Sequence, residues 1–331
     1  MNTQSLPQHG QQPDAVHVTP APVRAGGVVI GLIIALAIIC LAFGWPAARS
    51  RPHDLPIGAA APLSAGQLQS QLDQITPGGF AVTSYPDQDA LRTAIRHRDI
   101  YGGLTTGPQG ITLLTASGAS PAVAQLLTQV GTGLAQHRGA PVHSEDLAPL
   151  PTHDPRGTGL AASALPLTLA GLLPAIVLIL VFPRDIWLRF AATVAFSVLA
   201  GLTIATLLRH VFGSIDQNFA GVTAGLTLGA LAMSLSLLGL GSLFGRVGVG
   251  VGAVIAVLLG NPLSGLMSAP EMLPRGWGAL GQLLPQGANA TLLRSTAYFA
   301  GAGASTAILV LTGWAVAGAL LIVIAGMRNR A

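Results

Sequence analysis

Charged side chains are scarce in this chain. Of its 331 residues, only 8% are Asp, Glu, Lys or Arg, against about a quarter in ordinary soluble domains. Lysine is absent, all 16 basic residues are arginine, and the formal net charge is only +4. A run of basic residues of the kind that binds nucleic acid is missing as well. The sequence therefore predicts no nucleic-acid partner.

Cysteine occurs once, as Cys40 inside an apolar run, which excludes an intrachain disulfide and a site built from several thiolates. Five residues close in sequence have side chains of the kinds that bind metals: His143, Glu145, Asp146, His153 and Asp154. A last strand and a linker explain the same residues without a metal. We therefore predict neither a metal nor a cofactor.

Common catalytic and nucleotide-binding motifs are also missing. The P-loop pattern does not occur, nor do the H-E-x-x-H and G-x-S-x-G patterns of hydrolases. Ionisable residues are absent from the middle of the apolar runs, which disfavours an ion-coupled pump. The chain is expected not to be an enzyme, and any energy it uses must come from elsewhere.

Long apolar runs are abundant instead. A helix of roughly 20 apolar residues crosses about 30 Å of hydrocarbon, and residues 159–327 hold five such runs. The predicted spans, numbered two to six, are 160–182, 187–208, 220–243, 247–267 and 304–327. Residues 268–303, between the last two, are semi-polar and predict an outer re-entrant or interfacial segment.

The amino-terminal residues divide in two. Residues 1–25 are rich in Gln, Pro and His and predict a disordered cytoplasmic tail. Residues 26–47 predict the first span. A cleaved signal peptide is the alternative, but the long leader with Arg24 as its only basic residue favours an uncleaved anchor.

Residues 48–158 hold most of the acidic residues and histidines, and they predict a small α/β domain of order βαβαββαβ. Turn residues 107–110 predict a hairpin, and Ser64 and Asp87 are candidate helix caps. In the first predicted helix, the side chains expected to face inward are those of Leu68, Leu72 and Ile75. The second places Leu91 and Ile95 inward and Arg92, Arg96 and Arg98 outward.

The fold class predicted is thus a polytopic α-helical membrane protein. It has six transmembrane helices, with the α/β domain outside the cytoplasm between the first and second. Arginines near span ends set the orientation, and those assigned to the inside are Arg24, Arg184, Arg189, Arg246, Arg328 and Arg330. Arg49, Arg51, Arg209, Arg275 and Arg294 fall outside. This slight excess predicts a plasma-membrane protein with both termini in the cytoplasm.

Glycines repeat at every fourth position in two predicted spans, as Gly221, Gly225 and Gly229 and as Gly248 and Gly252. Such ridges let helix backbones approach closely in lipid. Tight packing within the chain is one interpretation, and a homodimer or heterodimer face is the other.

The connection between the second and third spans has the sequence PRDIWLR. It combines charged residues with a tryptophan, as an ordinary interfacial turn does. The functional alternative is a docking element for a partner, made by Arg184, Asp185, Trp187 and Arg189.

Four stretches of the sequence stand out together: DALRTAIRHRDIYGGL at 89–104, the following ITLLTASG, APLPTHDPRG at 148–157 and LPQGANATLLRSTAYFAGAG at 284–303. They resemble the ABC-2-type permease family, and within it the YhgE/Pip-like (phage infection protein-like) membrane proteins. The plan of one span, a large outer domain and five further spans is similar too. The resemblance covers about residues 55–327.

This resemblance implies a dimeric permease subunit that works with a separate ATP-binding subunit and exports a lipid, a peptide or another amphiphile. It implies that the loop at residues 184–189 couples to the ATPase. It assigns Pro285, Gly287, Arg294 and Tyr298 to an outer re-entrant segment, whereas the plainer alternative is a turn followed by an arginine that snorkels to lipid headgroups. The alternative function is a non-transporting envelope protein whose outer domain binds a partner or ligand.

Overall fold

The structure is a computed structural model that describes residues 21–328. Most of the predicted tail, with Arg330, lies outside the described residues. Within them, five helices are long and apolar enough to cross a membrane. The fold is mostly helical with a small mixed sheet, which is compatible with a multi-pass membrane protein.

The helices are α1 (Ala21–Ala48), α2 (Ala65–Ile75), α3 (Gln88–Arg96), α4 (Pro121–Arg138), α5 (Thr158–Ala162), α6 (Ala164–Val181), α7 (Ile186–His210), α8 (Phe219–Ile255), α9 (Trp277–Gln282), α10 (Pro285–Tyr298) and α11 (Ser305–Arg328). The strands are β1 (Leu55–Ala60), β2 (Phe80–Tyr85), β3 (Gly102–Gly107), β4 (Gly110–Thr115) and β5 (Val142–Asp146). A π-helical turn, Ala256–Gly260, follows α8, and a 3-10 turn, Pro270–Met272, precedes α9.

The five strands form one sheet of order β2-β1-β3-β4-β5. β1 lies between β2 and β3 and is parallel to both, and β5 is parallel to β4. β3 and β4 form an antiparallel hairpin. Helices α2 and α4 supply the crossovers that the parallel pairs β1–β2 and β4–β5 need. The predicted βαβαββαβ order and its hairpin are confirmed.

The structure of the sheet domain agrees with some of the local sequence signals and differs from others. Asp87 caps α3 as predicted, because its Oδ1 accepts a 2.8 Å hydrogen bond from the Ala90 amide. Ser64 precedes α2, but its side chain makes no capping hydrogen bond. In α2 the side chains of Leu68 and Leu72 are buried, whereas Ile75 is 67% exposed. The inward placement of Ile75 was therefore wrong: it is the last residue of α2.

The two faces of the sheet have separate cores. On one face Leu68 of α2 and Leu127 of α4 pack with Ile57 of β1. On the other face Leu91 of α3 packs in a core that includes Phe299, just after α10. The sheet domain is thus completed by a side chain that comes 239 residues after the end of its first strand, Ala60.

Helix α8 contains a sharp reversal at Gly245. This residue has φ 63° and ψ −143°, a conformation that glycine adopts without the clash of a Cβ. Gly252 lies against Leu237, although a straight helix would separate them by about 22 Å. The chain therefore folds back into two antiparallel arms, residues 219–244 and 246–260. The second arm ends at Gly260, before the predicted end of the span at Met267.

The helices of the bundle run between two ends. At one end Ser214, in the loop between α7 and α8, contacts Asp154 just before α5. At the other end Trp187 lies beside Gly326, near the end of α11. Residues 182–185 are therefore at the end of the bundle remote from the sheet domain.

Candidate functional site

Helix α10 is a short, buried helix that joins the bundle to the sheet domain. Of its 14 residues 12 are buried, and at about 1.5 Å per residue it is too short to cross a membrane. It packs on the first arm of α8, where Gly225 receives Leu292 and Gly229 receives Asn289. We take α10, α9 and the loops around them as the candidate functional site.

The start of α10 depends on close backbone contacts. Pro285 occupies its first turn, where a missing N–H costs no helical hydrogen bond. A Cβ on Gly287 would lie 2.1 Å from the carbonyl oxygen of Gly281. α9 and α10 thus touch through two glycines, and Pro285 and Gly287 have the structural role of shaping this turn.

Arg294 is buried, with 5% of its surface exposed. Its guanidinium donates hydrogen bonds to the carbonyl oxygens of Gly265, at 3.0 Å, and Leu266, at 2.6 Å. These carbonyls belong to the loop after the π-helical turn, where no helix supplies donors. Arg294 therefore holds that loop against α10, and the alternative in which it snorkels to headgroups is wrong.

Arg98 approaches α10 from the sheet domain. It follows α3 in a left-handed backbone conformation with φ 65°, and its guanidinium donates to the Thr291 carbonyl and to the Ser295 hydroxyl. It also lies 5.2 Å from the centre of the Phe299 ring, within cation–π range. Burial lowers the pKa of Arg98. The predicted outward position of Arg98 was wrong, because its backbone turns it away from the exposed face of α3.

A second junction surrounds Asp154. Its carboxylate accepts hydrogen bonds from the Ser214 hydroxyl at 2.6 Å, from the amides of Thr158 and Gly159, and from the Thr158 hydroxyl. Tyr298 of α10 donates a 3.0 Å hydrogen bond to the Ser214 carbonyl. Burial of Asp154 opposes ionisation, but these hydrogen bonds prevail and lower its pKa.

A cavity of about 500 Å³ lies where the sheet domain meets α9, α10 and α11. This volume is in the range of small-molecule sites. In its wall the Tyr101 hydroxyl donates a 2.7 Å hydrogen bond to Glu271 Oε2. Burial and the Glu271 carboxylate raise the pKa of Tyr101, so the phenol keeps its proton and acts as a donor.

Polar side chains also cluster where α10 enters the bundle. Gln286 donates to the Ala256 carbonyl of the π-helical turn, and Asn261 accepts from the Thr168 hydroxyl at 2.7 Å. Asn289 is completely buried, and within residues 21–328 its side-chain amide has no hydrogen-bond partner. Burying such an amide costs free energy, so this cluster marks a polar zone inside an otherwise apolar bundle.

The docking element predicted at residues 184–189 is only partly accessible. Arg184, Asp185 and Trp187 are exposed. Arg189, by contrast, is 4% exposed, and its Nε has no hydrogen-bond partner among the described residues. Arg189 therefore faces the interior of the bundle at the start of α7.

The glycine ridges lie within the chain. Gly225 and Gly229 face α10, Gly248 and Gly252 face the first arm of α8, and Gly221 lies against Asn218. Gly225, Gly229, Gly248 and Gly252 thus contact other segments of the same chain, as the interpretation of packing within the chain expects.

Three of the five residues considered as metal ligands, Glu145, Asp146 and Asp154, accept hydrogen bonds from other groups of the chain. Glu145 forms a 2.5 Å ion pair with Arg92, whose hydrogen bond lowers the pKa of Glu145. Asp146 accepts from the Ser117 and Ala148 amides. Across residues 21–328, no three His, Cys, Asp or Glu side chains are grouped as metal ligands.

Sequence reasoning did not find the cavity, Arg98 or Asp154 as parts of the junction. Their partners lie 60 to almost 200 residues away, so no local pattern reveals them. The only local sign of these junction residues is a charged residue followed by turn residues at the end of a predicted element.

Comparison of the chain with family models, curated proteins and solved structures finds no match.

Proposed function

We propose that this chain is the membrane subunit of an ABC-2-type exporter that moves an amphiphile, a lipid or a peptide with a separate ATP-binding subunit. The observation that carries the proposal is the position of α10. A short helix with buried polar side chains lies between the bundle and the sheet domain and borders the 500 Å³ cavity. An amphiphile needs polar and apolar contacts together, which this junction offers.

Six spans follow from this proposal. Five helices are long and apolar enough to cross a membrane, and the proposal counts as separate spans the two arms that the reversal at Gly245 creates, although the second arm, residues 246–260, covers only about 22 Å as helix. With both termini in the cytoplasm, the sheet domain lies outside the plasma membrane. Residues 182–185, at the other end of the bundle, then face the cytoplasm, where an ATPase is found.

Coupling is assigned to the exposed part of the loop. Arg184, Asp185 and Trp187 are accessible to a partner, whereas buried Arg189 fixes the start of α7 from inside. An exporter of this kind would work as a dimer with two ATPase subunits, as the resemblance to ABC-2-type permeases implies.

Affinity purification of the full chain from its native membrane tests the proposal. We expect a P-loop ATPase to co-purify, and we expect the combined variant Arg184→Ala, Trp187→Ala to lose it. Arg156→Ala, an exposed arginine near the sheet domain, is the matched control and should retain the ATPase. If crosslinked membranes yield no ATPase with the unaltered chain, the proposal is wrong.

A further inference from the structure

The side chains that line the cavity beside the sheet domain carry a formal negative charge. Three carboxylates line it, Asp54, Asp99 and Glu271, together with two guanidinium groups, Arg98 and Arg275, and the imidazole of His53. With His counted as neutral, the formal charge of the lining is one negative charge, and a ligand with one positive charge balances it.

The guanidinium groups are already engaged. Arg98 donates to the Thr291 carbonyl and to the Ser295 hydroxyl, and Arg275 lies 3.6 Å from Asp54. Within residues 21–328 the ion pairs are Arg275–Asp54 and Arg92–Glu145, so Glu271 and Asp99 are not members of any. Arg98 thus positions α10 and Arg275 is paired with Asp54, so neither forms an ion pair with the Glu271 carboxylate.

Glu271 is held in place rather than free to swing. Tyr101 donates to its Oε2, and the backbone amides of Arg51 and His53 bond to the carbonyls of Met272 and Glu271. No described residue donates a hydrogen bond to Oε1. A fixed carboxylate with one unused oxygen, in a partly enclosed space, is suited to an ammonium group.

The two helices beside the cavity also expose apolar side chains. Ala279 of α9 and Ala307 of α11 line the wall. Exposed Leu280 belongs to α9 and exposed Leu283 directly follows it, and exposed Ile308 and Leu309 belong to α11. A hydrocarbon chain attached to the ammonium group would therefore find an apolar surface next to the cavity.

We propose that this cavity binds the primary ammonium headgroup of an amphiphile, with Glu271 as its counter-ion. This inference rests on the proposed function, because it names the headgroup chemistry of the exported amphiphile. Tyr101 is a positioning residue that orients the carboxylate.

Binding to the purified full chain in a neutral maltoside detergent tests the proposal. The probe is dodecylamine, and dodecyl phosphate and butylamine are the comparisons. Native mass spectrometry measures each dissociation constant. We expect dodecylamine to bind at least tenfold more tightly than either comparison, because only dodecylamine combines the ammonium group with the chain.

Variants locate the site. Glu271→Gln should weaken dodecylamine binding at least tenfold, whereas Glu145→Gln, the same change at a carboxylate of the sheet domain outside the cavity, should leave it unchanged. Tyr101→Phe keeps the charge and should weaken binding by less than threefold. Thr306→Trp fills the cavity from an exposed position and should abolish binding even if Glu271→Gln disturbs folding.

Two results would overturn the inference. Dodecylamine binding that survives both Glu271→Gln and Thr306→Trp would show that the ligand binds outside this cavity. Butylamine binding as tight as that of dodecylamine would show that the hydrocarbon chain does not contribute and that the ligand is not an amphiphile. Capture of an ATPase is measured independently. A chain that binds dodecylamine at Glu271 but captures no ATPase would contradict the exporter and leave the ammonium site standing.

Discussion

Ser214 donates a 2.6 Å hydrogen bond to Asp154 across a sequence separation of 60 residues. Both side chains are buried. The bond joins the residues that lead into α5 to the loop between α7 and α8, and Tyr298 of α10 closes the group through the Ser214 carbonyl. Three separate parts of the chain thus meet around Ser214 and Asp154.

Replacing this carboxylate should destabilise the fold. Asp154→Asn removes the charge while its four donors stay in place, and hydrogen bonds to a charged group contribute about 1.5–3 kcal/mol each. We expect a loss of about 2 kcal/mol in the free energy of unfolding, measured by SDS titration in mixed micelles. Asp216→Asn, an exposed aspartate in the same loop as Ser214, is the control and should change stability by less than about 0.5 kcal/mol.

The same aspartate predicts a dependence on pH. Its pKa is lowered below the ordinary 3.8, so the carboxylate stabilises the fold fully above that value and loses its contribution as pH falls through the lowered pKa. The stability difference between the unaltered chain and Asp154→Asn should therefore be constant from pH 7 to pH 5 and shrink below pH 4. A difference that grows on acidification would contradict the assignment.

Replacing Arg294 should lower the free energy of unfolding more than replacing an exposed arginine of the same region. Arg294→Met keeps the length of the side chain but leaves the Leu266 carbonyl without a donor and the Gly265 carbonyl with only the Ser268 amide. We expect a loss of about 3 kcal/mol, again by SDS titration. Arg275→Met breaks only an exposed ion pair and should cost less than about 1 kcal/mol. Equal effects of the two changes would show that Arg294 does not hold the loop.

Gly118 is the position where the sheet domain packs against Tyr298 of α10. A Cβ there would lie 2.7 Å from the Cβ of Tyr298 and 2.9 Å from the Ala148 carbonyl. Gly118→Ala should therefore cost about 2 kcal/mol by overpacking. Gly133→Ala, within α4 and with open space around it, should instead stabilise by up to about 1 kcal/mol. A neutral Gly118→Ala would mean that the domain and α10 are less tightly joined.

The isolated sheet domain should be poorly folded. Residues 48–158 alone lack Phe299, which packs in the core with Leu91 and Ala116, and Ala269, which packs on the other face. We expect this fragment to bind a hydrophobic dye and to unfold without a sharp transition. A monomeric fragment with a cooperative thermal transition would show that its core is complete without α10.

The secondary structure of the sheet domain could be predicted because its signals are local. Alternating strands, the turn at 107–110 and the Asp87 cap each act within a few residues. The apolar runs likewise locate the long helices. The reversal at Gly245 was predicted only as a boundary between two spans, since many glycines in this region lie in ordinary helix.

The candidate site could be predicted only in part. The sequence of 284–303 marked α10 as unusual, but it did not show that Arg294 is buried or that Phe299 completes the sheet domain. Arg98 was misplaced because helical periodicity does not extend beyond α3, where the backbone has a positive φ. Long-range contacts decide these positions, and periodicity carries no information about them.

Labelling with a membrane-impermeant thiol reagent tests most directly whether the sheet domain lies outside the membrane. In a Cys40→Ser background, one cysteine is placed at Gln109, an exposed position in the β3–β4 turn, and in a separate chain at Arg184, exposed at the other end of the bundle. Gln109 is preferred to Gly110, whose φ of 112° and contact with Pro141 exclude a side chain. We expect labelling of the Gln109→Cys chain in intact cells and of the Arg184→Cys chain only after lysis. The reverse pattern, or equal labelling of both in intact cells, would contradict a sheet domain outside the membrane.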